Sequence, residues 1–572
     1  MAWTPARTIA ECDRILTAPN SFAEMHQRVI DGRVQRVYTH LWPSFRAFWL
    51  KCAQRHAQHE YLVFKGERWT YEGAHREVLK IAGLLGQVYG VGKGDRVGIV
   101  SRNYPEFIFA FWAVQLLGGV AVCPNAWLPV DVVKHCLCNT DCKVILLDDE
   151  RAQSLEPLVD QIKKDAGCIE LLVFRGGERQ PKGMKRLVDA LKAYGEDGSS
   201  VLRSDPGILP EDNATVMFTS GTTGLPKGVL STQRAGLSNI INVLAGSVKD
   251  ALRNGLIDAV PSKIDPPEPR GVSLVGIPFF HVTGLHSIML VVTCLGGKLV
   301  LMKKWNPEEG ARLILQEKVT SVGGVPSLVS DIVTMAENGG PLAGYPLLGT
   351  SVGGAASPRA LIERARRSFG QVSIGLASPI NDLLIVDADS LKVCKPGQLG
   401  EVWIRGVNVM RGYWKDEAAT AKAITKDGYM RTGDLGVMDS EGFLYIRDRL
   451  KDIIIRGGEN IDSSTVENAL HADEGVLEAA AVAVPDERLG ELPAAVVAVK
   501  EGHRHRVTEE GLIRLARSRL PRFAVPVLIV LQTHPLERNA SLKPLKTELR
   551  KVARAEWEKR GRKVKVVEEA KM

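Results

Sequence analysis

The sequence lacks a hydrophobic run long enough to cross a membrane. Its longest apolar stretch, Phe107–Cys123, is interrupted by Gln115 and by Gly118–Gly119. It falls short of the roughly 20 residues that a bilayer requires, so we expect a buried helix followed by a strand. The opening residues, MAWTPARTIAECDR, are acidic and polar too early for a secretory signal peptide.

Cysteine is scarce and the charge is nearly balanced. Nine cysteines, an odd number in a chain of 572 residues, are typical of reduced thiols inside a cell rather than of a disulfide framework. The 74 Lys and Arg residues exceed the 66 Asp and Glu residues only slightly, for a net charge of +8. This mild basicity suits anionic small molecules better than nucleic acid. Hydrophobic and charged fractions of 45% and 24% exclude disordered, collagen-like and fibrous proteins.

One cysteine-rich stretch, His135–Cys142, could be taken for a zinc site. Its CxCx₃C spacing lacks the separated second pair of ligands that structural zinc sites use. We interpret these residues as buried and surface thiols, and we predict no metal site from them.

Helical and strand-like patterns alternate along most of the chain. Within residues 62–150, a buried strand at Arg96–Val100 precedes a helix at Phe107–Leu117. The same alternation recurs over 215–350, which indicates mainly parallel sheets flanked by helices. The Pro-rich, polar stretch Leu252–Arg270 predicts a surface insertion.

The pattern changes in the last third of the chain. From Gly397 onward the strands shorten and turns multiply, which is typical of small antiparallel sheets. Residues 463–550 have the order helix, strand, strand, helix, strand, and we place a domain boundary near Arg449–Asp452. The predicted domains are residues 1–450, with an N-terminal lead of residues 1–60, and residues 451–572.

A loop rich in glycine and hydroxyl groups follows a buried strand. The strand Val216–Phe218 leads into Thr219–Gly228, with the sequence TSGTTGLPKG. Gly221 and Gly224 permit tight turns that expose backbone N–H groups, and Lys227 adds a mobile positive charge, a combination suited to a polyphosphate. The order of residues differs from the nucleotide P-loop, GxxxxGK[ST]. A flexible linker would not be bounded by a buried strand and by Pro-Lys-Gly.

This loop resembles the phosphate loop of the adenylate-forming enzymes, which include acyl-CoA synthetases, aryl-CoA ligases, luciferases and peptide-synthetase adenylation domains. Further motifs of that family occur in the same order, over about residues 60–550. The matching segments are Pro278-Phe279-Phe280-His281 beside the acyl pocket, Gly353–Ala356 against adenine, Tyr429–Asp434 at the ribose, Arg449–Asp452 at the hinge, Arg456–Asn460 beside the thiol acceptor and Arg538–Lys543 with the catalytic lysine.

The resemblance implies an α/β fold in two parts. A large N-terminal domain of mainly parallel sheets with flanking helices plus a distorted barrel would carry a small, mobile α+β C-terminal domain. The implied activity is that of an ATP-dependent carboxylate–CoA ligase, which activates a fatty or aryl acid as an acyl-adenylate and transfers it to CoA with the help of Mg²⁺. The implied partners are a carboxylic acid, ATP and CoA, and no nucleic acid.

The resemblance also implies a role for each matching residue. Lys543 is the catalytic lysine of adenylation, and Lys451 is the hinge about which the C-terminal domain rotates to exchange Lys543 for the Gly457–Asn460 loop. His281 either lines the acyl pocket or is a packed histidine of an aromatic cluster. The residues expected to bind nucleotide or CoA are Thr219, Ser220, Gly221, Thr222, Thr223, Gly224, Lys227, Gly354, Ala355, Ala356, Asp434, Arg449, Gly457, Gly458 and Glu459.

Two features depart from the family pattern. The family has an aromatic-Gly-x-Thr-Glu segment whose Thr touches the α-phosphate and whose Glu holds Mg²⁺. Here Phe369-Gly370 is followed at once by Gln371–Pro379, which resembles the stretch beyond that segment. Because one oxyanion donor contributes roughly 3–4 kcal/mol, we expect adenylation to be impaired. Leu542 stands where the family usually has Gly. Leucine permits fewer backbone conformations than glycine at the position before Lys543.

Two other functions stay open. The chain could adenylate an acid for a carrier protein, or it could be a non-catalytic nucleotide-binding paralogue or splice product, as the missing segment suggests. The C-terminal Ala570-Lys571-Met572 resembles a variant of the peroxisomal targeting tripeptide. We therefore expect a cytoplasmic protein, or a peroxisomal one if this tripeptide is recognised.

Overall fold

The secondary structure alternates between strands and helices along nearly the whole chain. The computed structural model describes residues 4–177, 179, 181–219, 225–337, 339–353, 359–369, 372–373, 378–450, 452–457, 459–539 and 543–561. The strands are β1 (Met25–Ile30), β2 (Arg33–Tyr38), β3 (Glu60–Phe64), β4 (Glu67–Thr70), β5 (Arg96–Val100), β6 (Val120–Cys123), β7 (Val144–Asp148), β8 (Glu170–Phe174), β9 (Lys185–Arg186), β10 (Asn213–Phe218), β11 (Gly228–Thr232), β12 (Val272–Val275), β13 (Lys298–Leu301), β14 (Ser321–Gly324), β15 (Gly349–Val352), β16 (Val372–Ser373), β17 (Asp382–Val386), β18 (Leu399–Arg405), β19 (Gly412–Tyr413), β20 (Met430–Met438), β21 (Leu444–Arg449), β22 (Ile454–Arg456), β23 (Glu459–Ile461), β24 (Val476–Asp486), β25 (Gly490–Val499) and β26 (Leu528–Gln532). The α-helices are α1 (Ile9–Leu16), α2 (Phe45–Arg55), α3 (Tyr71–Gly83), α4 (Pro105–Leu116), α5 (Val130–Asn139), α6 (Asp149–Leu155), α7 (Val159–Ala166), α8 (Leu187–Tyr194), α9 (Gln233–Arg253), α10 (Leu290–Cys294), α11 (Pro307–Glu317), α12 (Pro326–Ala336), α13 (Arg359–Phe369), α14 (Glu417–Ala423), α15 (Ser463–Leu470), α16 (Glu509–Arg519) and α17 (Lys546–Lys559).

Two large sheets form the body of the N-terminal part. The first has the strand order β19-β11-β10-β6-β5-β7-β8-β9 and the second β16-β15-β14-β12-β13-β3-β4. The first is parallel from β10 to β9, and the second is parallel from β16 to β3. Strands of parallel sheets are covered on both faces and are therefore apolar along their length, as β7 and β8 are. The expected α/β fold with flanking helices is confirmed.

The longest apolar stretch folds as a buried helix and a strand, as expected. Helix α4 is buried along its whole length, which is why it is apolar on all sides. Its Trp112 stacks on Trp49 of α2, with ring centroids 4.8 Å apart, and strand β6 follows. None of the helices in the described part of the chain combines the length and the apolar character that crossing a membrane needs. The nine cysteines are all free thiols.

A four-stranded antiparallel sheet stands where a distorted barrel was expected. Its order is β17-β18-β20-β21, so that β17 and β21 form the two edges and the sheet is open. A barrel whose interior is just filled by side chains takes about eight strands. Four strands of five to nine residues are too few to close on themselves.

The C-terminal part follows the order predicted for residues 463–550. Helix α15 is followed by the antiparallel pair β24 and β25, then by α16 and by β26, which pairs parallel to β25. Helix α17 packs on this sheet and buries Trp557. We call residues 452–561 the cap. The boundary near Arg449–Asp452 and the mobility of the cap stay predictions.

Two glycines let a 3₁₀ turn at Ser199–Arg203 approach the backbone of α3. A Cβ atom on Gly198 would lie 1.9 Å from the carbonyl oxygen of Leu79, and one on Gly83 would lie 2.8 Å from the Cα of Gly198. Gly198 also has a positive φ of 75°. The close approach therefore depends on the absence of side chains at this point.

We expect Gly198→Ala to destabilise the N-terminal part by about 2–5 kcal/mol, because left-handed backbone strain adds to a backbone clash. Gly207→Ala is the matched control, since Gly207 also has a positive φ (64°) but open space around it. The control should cost about 1 kcal/mol. Urea unfolding followed by tryptophan fluorescence measures both, and equal midpoints for the two variants would contradict the proposed contact.

Candidate active site

Several of the predicted site residues follow parallel strands directly, at the carboxyl ends of the two large sheets. In open α/β sheets, ligands bind outside the carboxyl ends of the strands. Strand β10 of the first sheet ends just before Thr219, and strand β12 of the second ends just before the Pro278–His281 motif. Asn103, after β5, joins the two edges: its carboxamide accepts from the Phe279 N–H (2.9 Å) and donates to the Ile277 carbonyl (2.8 Å).

The phosphate-type loop is the tip of a hairpin between β10 and β11. Its two ends are joined directly: the Thr219 N–H donates to the Lys227 carbonyl (3.1 Å), and the Lys227 N–H donates to the Thr219 hydroxyl (3.3 Å). Antiparallel pairing of Phe218 with Gly228 continues this closure into the sheet. The intervening Ser220, Gly221, Thr222, Thr223 and Gly224 lie outside the described residues.

The Lys227 side chain is held by two groups near strand β19. Its Nζ lies 3.6 Å from the Asp416 carboxylate and 5.3 Å from the centre of the Tyr413 ring. Both side chains of the ion pair are partly exposed, so the pair is weak. The lysine can therefore exchange Asp416 for an anionic ligand at low cost.

The aromatic-histidine motif forms a packed wall at the carboxyl edge of the second sheet. Phe279 and Phe280 are almost fully buried. Phe280 contacts Trp127 and His281 edge to face, with ring centroids 6.0 and 4.9 Å apart. The wall then continues into a π-helical turn at Thr283–Met289.

The charge of Lys543, on the cap, acts on His281. Burial, and to a smaller extent the positive charge of Lys543, lower the pKa of His281 to about 4. A neutral imidazole is therefore the form present near pH 7. The two residues lie more than 250 positions apart in the sequence, and the fold of the cap brings their charges together.

A β-bridged turn of the cap presents Lys543. The Lys543 N–H donates to the Asn539 side-chain oxygen (3.0 Å), and the Asn539 N–H donates to the Lys543 carbonyl (2.8 Å). Arg538 pairs with Glu478 of β24 at 2.5 Å. The backbone of Lys543 is thus fixed on the cap, although Leu542 lies outside the described residues.

Asp434 and Arg449 face each other on neighbouring antiparallel strands. They are opposite in the register of β20 and β21, and the Arg449 Nε lies 3.2 Å from the Asp434 carboxylate. The Asp434 N–H donates to the Thr432 hydroxyl (3.0 Å), and the buried Glu401 accepts from the Gly433 N–H (3.0 Å). These hydrogen bonds fix the Thr432–Asp434 segment of β20, and the Asp434 carboxylate stays partly exposed.

The remaining predicted residues belong to the hinge, the adenine loop and the cap. Gly457 and Glu459 lie on the β22–β23 hairpin, where the Gly457 N–H donates to the Leu489 carbonyl (2.8 Å). The predicted residues Gly354, Ala355, Ala356, Lys451 and Gly458 lie outside the described residues, as do Gly370, Gln371 and residues 374–377 of the stretch where the Thr-Glu segment is missing.

The described ranges contain no cluster of three side chains able to hold a metal ion. Mg²⁺ commonly takes many of its ligands from water and from the phosphates of a nucleotide.

Three residues that hold site segments in place were not predicted from the sequence: Asn103, Asp416 and Glu401. Asn103 carried a usable signal, because polar residues directly after a buried parallel strand face the ligand edge of the sheet. Asp416 and Glu401 carried no such signal, since each contacts a residue, Lys227 or Gly433, that only the fold brings close.

Comparison with known proteins identifies the family. Residues 49–375 match the AMP-binding enzyme family, and residues 465–568 match the AMP-binding enzyme C-terminal domain. A long-chain-fatty-acid–CoA ligase of Bacillus subtilis is 30% identical over 506 residues, covering 81% of this chain and 87% of the relative. A 2-succinylbenzoate–CoA ligase of Bacillus cytotoxicus is 30% identical over 514 residues, covering 85% of this chain and 94% of the relative.

The fold has a close counterpart among solved structures. The ATP-bound structure of MatB from Rhodopseudomonas palustris superposes with a TM-score of 0.72 at 21% identity, covering 90% of this chain and 99% of that one. With family matches in both parts of the sequence and relatives that align over more than four-fifths of it, the chain belongs to the AMP-binding enzyme family.

Proposed function

We propose that this chain is an ATP-dependent acid–thiol ligase that activates a fatty or aryl carboxylic acid as an acyl-adenylate and transfers the acyl group to CoA. The observation that carries the proposal is the hairpin tip closed by Thr219 and Lys227 at the carboxyl end of β10, a loop of the kind that cradles a polyphosphate. The Asp434–Arg449 pair adds a carboxylate suited to a ribose diol. The two curated relatives are named as CoA ligases, one for fatty acids and one for an aryl acid.

In the first half-reaction, the acid's carboxylate attacks the α-phosphorus of ATP and pyrophosphate leaves. Two anions must meet in line, so the protein mainly supplies position and positive charge. The loop closed by Thr219 and Lys227 would cradle the β- and γ-phosphates, while Asp434 accepts hydrogen bonds from the ribose diol. Lys543 would stabilise the charge that develops on the oxygens around phosphorus. Mg²⁺, when bound to the phosphates, neutralises part of their charge.

In the second half-reaction, the CoA thiol attacks the acyl carbon, a thioester bond forms and AMP leaves. One face of the cap cannot supply both Lys543 and a thiol channel. We propose that rotation about Lys451 replaces Lys543 with the hairpin that carries Gly457 and Glu459. His281 stays neutral near pH 7 and lines the acyl side of the crevice with Phe280 and Trp127.

We further propose that adenylation is slow in this chain. The sequence lacks the Thr that touches the α-phosphate and the Glu that holds Mg²⁺ in the aromatic-Gly-x-Thr-Glu segment, and losing one such donor commonly costs 10²–10³-fold in rate. Two assays separate the half-reactions. ATP–pyrophosphate exchange reports adenylation, and CoA added to a chemically prepared acyl-adenylate reports thioester formation.

The same assays decide between the alternatives. Slow exchange with efficient thioester formation is expected. Exchange without any transfer to CoA would point to a carrier-protein acceptor and overturn the CoA step. Background values in both assays, across fatty and aryl acids, would point to a non-catalytic nucleotide-binding protein.

Lys543→Ala should lower ATP–pyrophosphate exchange by about 10²–10³-fold, because a charge that acts only in the transition state is removed. Thioester formation from the prepared acyl-adenylate should stay within about twofold, since the lysine is not used there. Lys551→Ala is the control, because Lys551 is an exposed lysine of the same segment that pairs with Glu548. Equal exchange rates for the two variants would remove Lys543 from the mechanism.

Asp434→Asn should weaken ATP binding about 10- to 100-fold, because hydrogen bonds to an ionised group contribute about 1.5–3 kcal/mol. Calorimetric titration with ATP and with 2′-deoxy-ATP tests the cause: the wild type should prefer ATP, and the variant should lose that preference. Asp387→Asn, at an exposed turn of the same sheet, is the control. An unchanged preference in Asp434→Asn would place the ribose elsewhere.

The Lys543→Ala variant should also raise the pKa of His281 from about 4 while leaving it below 6.5, because burial, the larger cause, remains. Histidine-selective ¹³C NMR across a pH titration measures this, with His281→Gln to assign the signal. His286 is an internal control, since burial alone lowers its pKa to about 4. A His281 pKa that does not move would mean that Lys543 is not beside it.

A further inference from the structure

Two hydrogen bonds, one buried and one exposed, join the two sides of the predicted hinge. Asp448 is the second-to-last residue of β21, three residues before Lys451, and is buried. Its carboxylate accepts from the N–H of Ser463, the first residue of cap helix α15. The Ser464 hydroxyl donates to the Arg447 carbonyl. We call these two contacts, Asp448 with Ser463 and Arg447 with Ser464, the cross-hinge latch.

The latch supplies a hydrogen-bond acceptor to the N-terminus of α15, where the N-cap residue supplies none. Asp462, the N-cap residue of α15, makes no side-chain capping bond, although the first N–H groups of a helix need acceptors. Asp448 supplies that acceptor from the other side of the hinge. A carboxylate at a helix N-terminus also interacts favourably with the helix dipole. The Ser463 N–H of α15 therefore keeps this acceptor only when the cap has its present orientation.

The same helix holds the segment that carries Lys543. Lys546, the first residue of α17, donates to the Ser463 hydroxyl and pairs with Glu467 at 2.8 Å. Glu467 also accepts from the Ala481 N–H of β24 (3.0 Å). Burial lowers the pKa of Lys546, but the carboxylates of Glu467 and Asp448 outweigh it and raise this pKa, so the lysine stays charged. Lys546 therefore ties the turn that presents Lys543 to α15.

These contacts form a continuous path from the Asp434–Arg449 pair to Lys543. We propose that Asp448 is a positioning residue: the cross-hinge latch fixes the cap in its present orientation, which we assign to adenylation, and the latch must open before the cap can rotate. The inference rests on the proposed two-step function. Rotation at Lys451 separates Asp448 from Ser463, because they lie on opposite sides of the hinge. The hydrogen bond of Lys546 to Ser463 and its ion pair with Glu467 lie within the cap and move with it.

The latch is tested by Asp448→Ala in the two half-reaction assays. We expect ATP–pyrophosphate exchange to fall about tenfold or more, as loss of a charge-assisted hydrogen bond predicts. Thioester formation from a prepared acyl-adenylate should stay within about twofold or rise, because that step uses the other orientation. Asp448→Asn keeps an oxygen that can accept from Ser463, so it should restore most of the exchange activity.

Thr508→Ala is the matched control. Thr508 is the N-terminal capping residue of α16, and its hydroxyl accepts from the Gly511 N–H (3.0 Å). Both residues belong to the cap, so Thr508→Ala removes a helix-capping hydrogen bond but no contact across the hinge. It should leave the ratio of the two half-reactions unchanged. If Asp448→Ala lowers both half-reactions by the same factor, or lowers neither, the positioning role is overturned.

Hydrogen–deuterium exchange gives a readout that does not depend on activity. In Asp448→Ala, peptides covering 459–470 and 543–550 should both exchange faster, and in Thr508→Ala only the region of α16 should. Unchanged exchange over 543–550 in Asp448→Ala would overturn the latch. If the wild type shows neither half-reaction, the proposed function fails, while hydrogen exchange still decides whether Asp448 orders the Lys543 segment.

Discussion

The buried carboxamide of Asn103 is the contact on which the geometry of the crevice depends. It is 2% exposed and bonds to the backbone on both sides of Pro278, so it fixes the turn after β12 to the end of β5. Two sheets that pack through their helices could slide relative to each other. An amide with both its oxygen and its nitrogen satisfied resists that motion, because any shift leaves a buried polar group without a partner.

The positive charges around this crevice come from three separate parts of the fold. Lys227 pairs with Asp416 and Arg449 with Asp434, while Lys543 comes from the cap. The first two pairs are partly exposed, so each contributes little stability. Carboxylate partners of this kind keep the cations ordered and still allow an anion to displace them. This arrangement fits the proposed two-step reaction, in which one cation leaves with the cap and the others stay.

The sequence predicted the regular elements well and the supporting contacts poorly. Strand β5 and helix α4 lie where the apolar patterns indicated, because such patterns report burial of local segments. The helix and strand order of the cap also followed from periodicity. The open edges of the antiparallel sheet were not predicted, since the resemblance implied a barrel that four strands cannot form. The contacts of Lys227 with Asp416 and of Gly433 with Glu401 were not predictable, because they depend on the pairing of strands distant in sequence.

The sequence by itself determined the α/β class, the order of the motifs and the family, because local periodicity and spaced motifs are properties of the chain alone. Only the tertiary structure decided which charges meet. It set the charge of Lys543 within electrostatic reach of His281, Arg449 against Asp434, and Asp448 at the start of a helix across the hinge. These contacts depend on strand register and on the orientation of the cap, and both arise from packing free energy summed over the whole molecule.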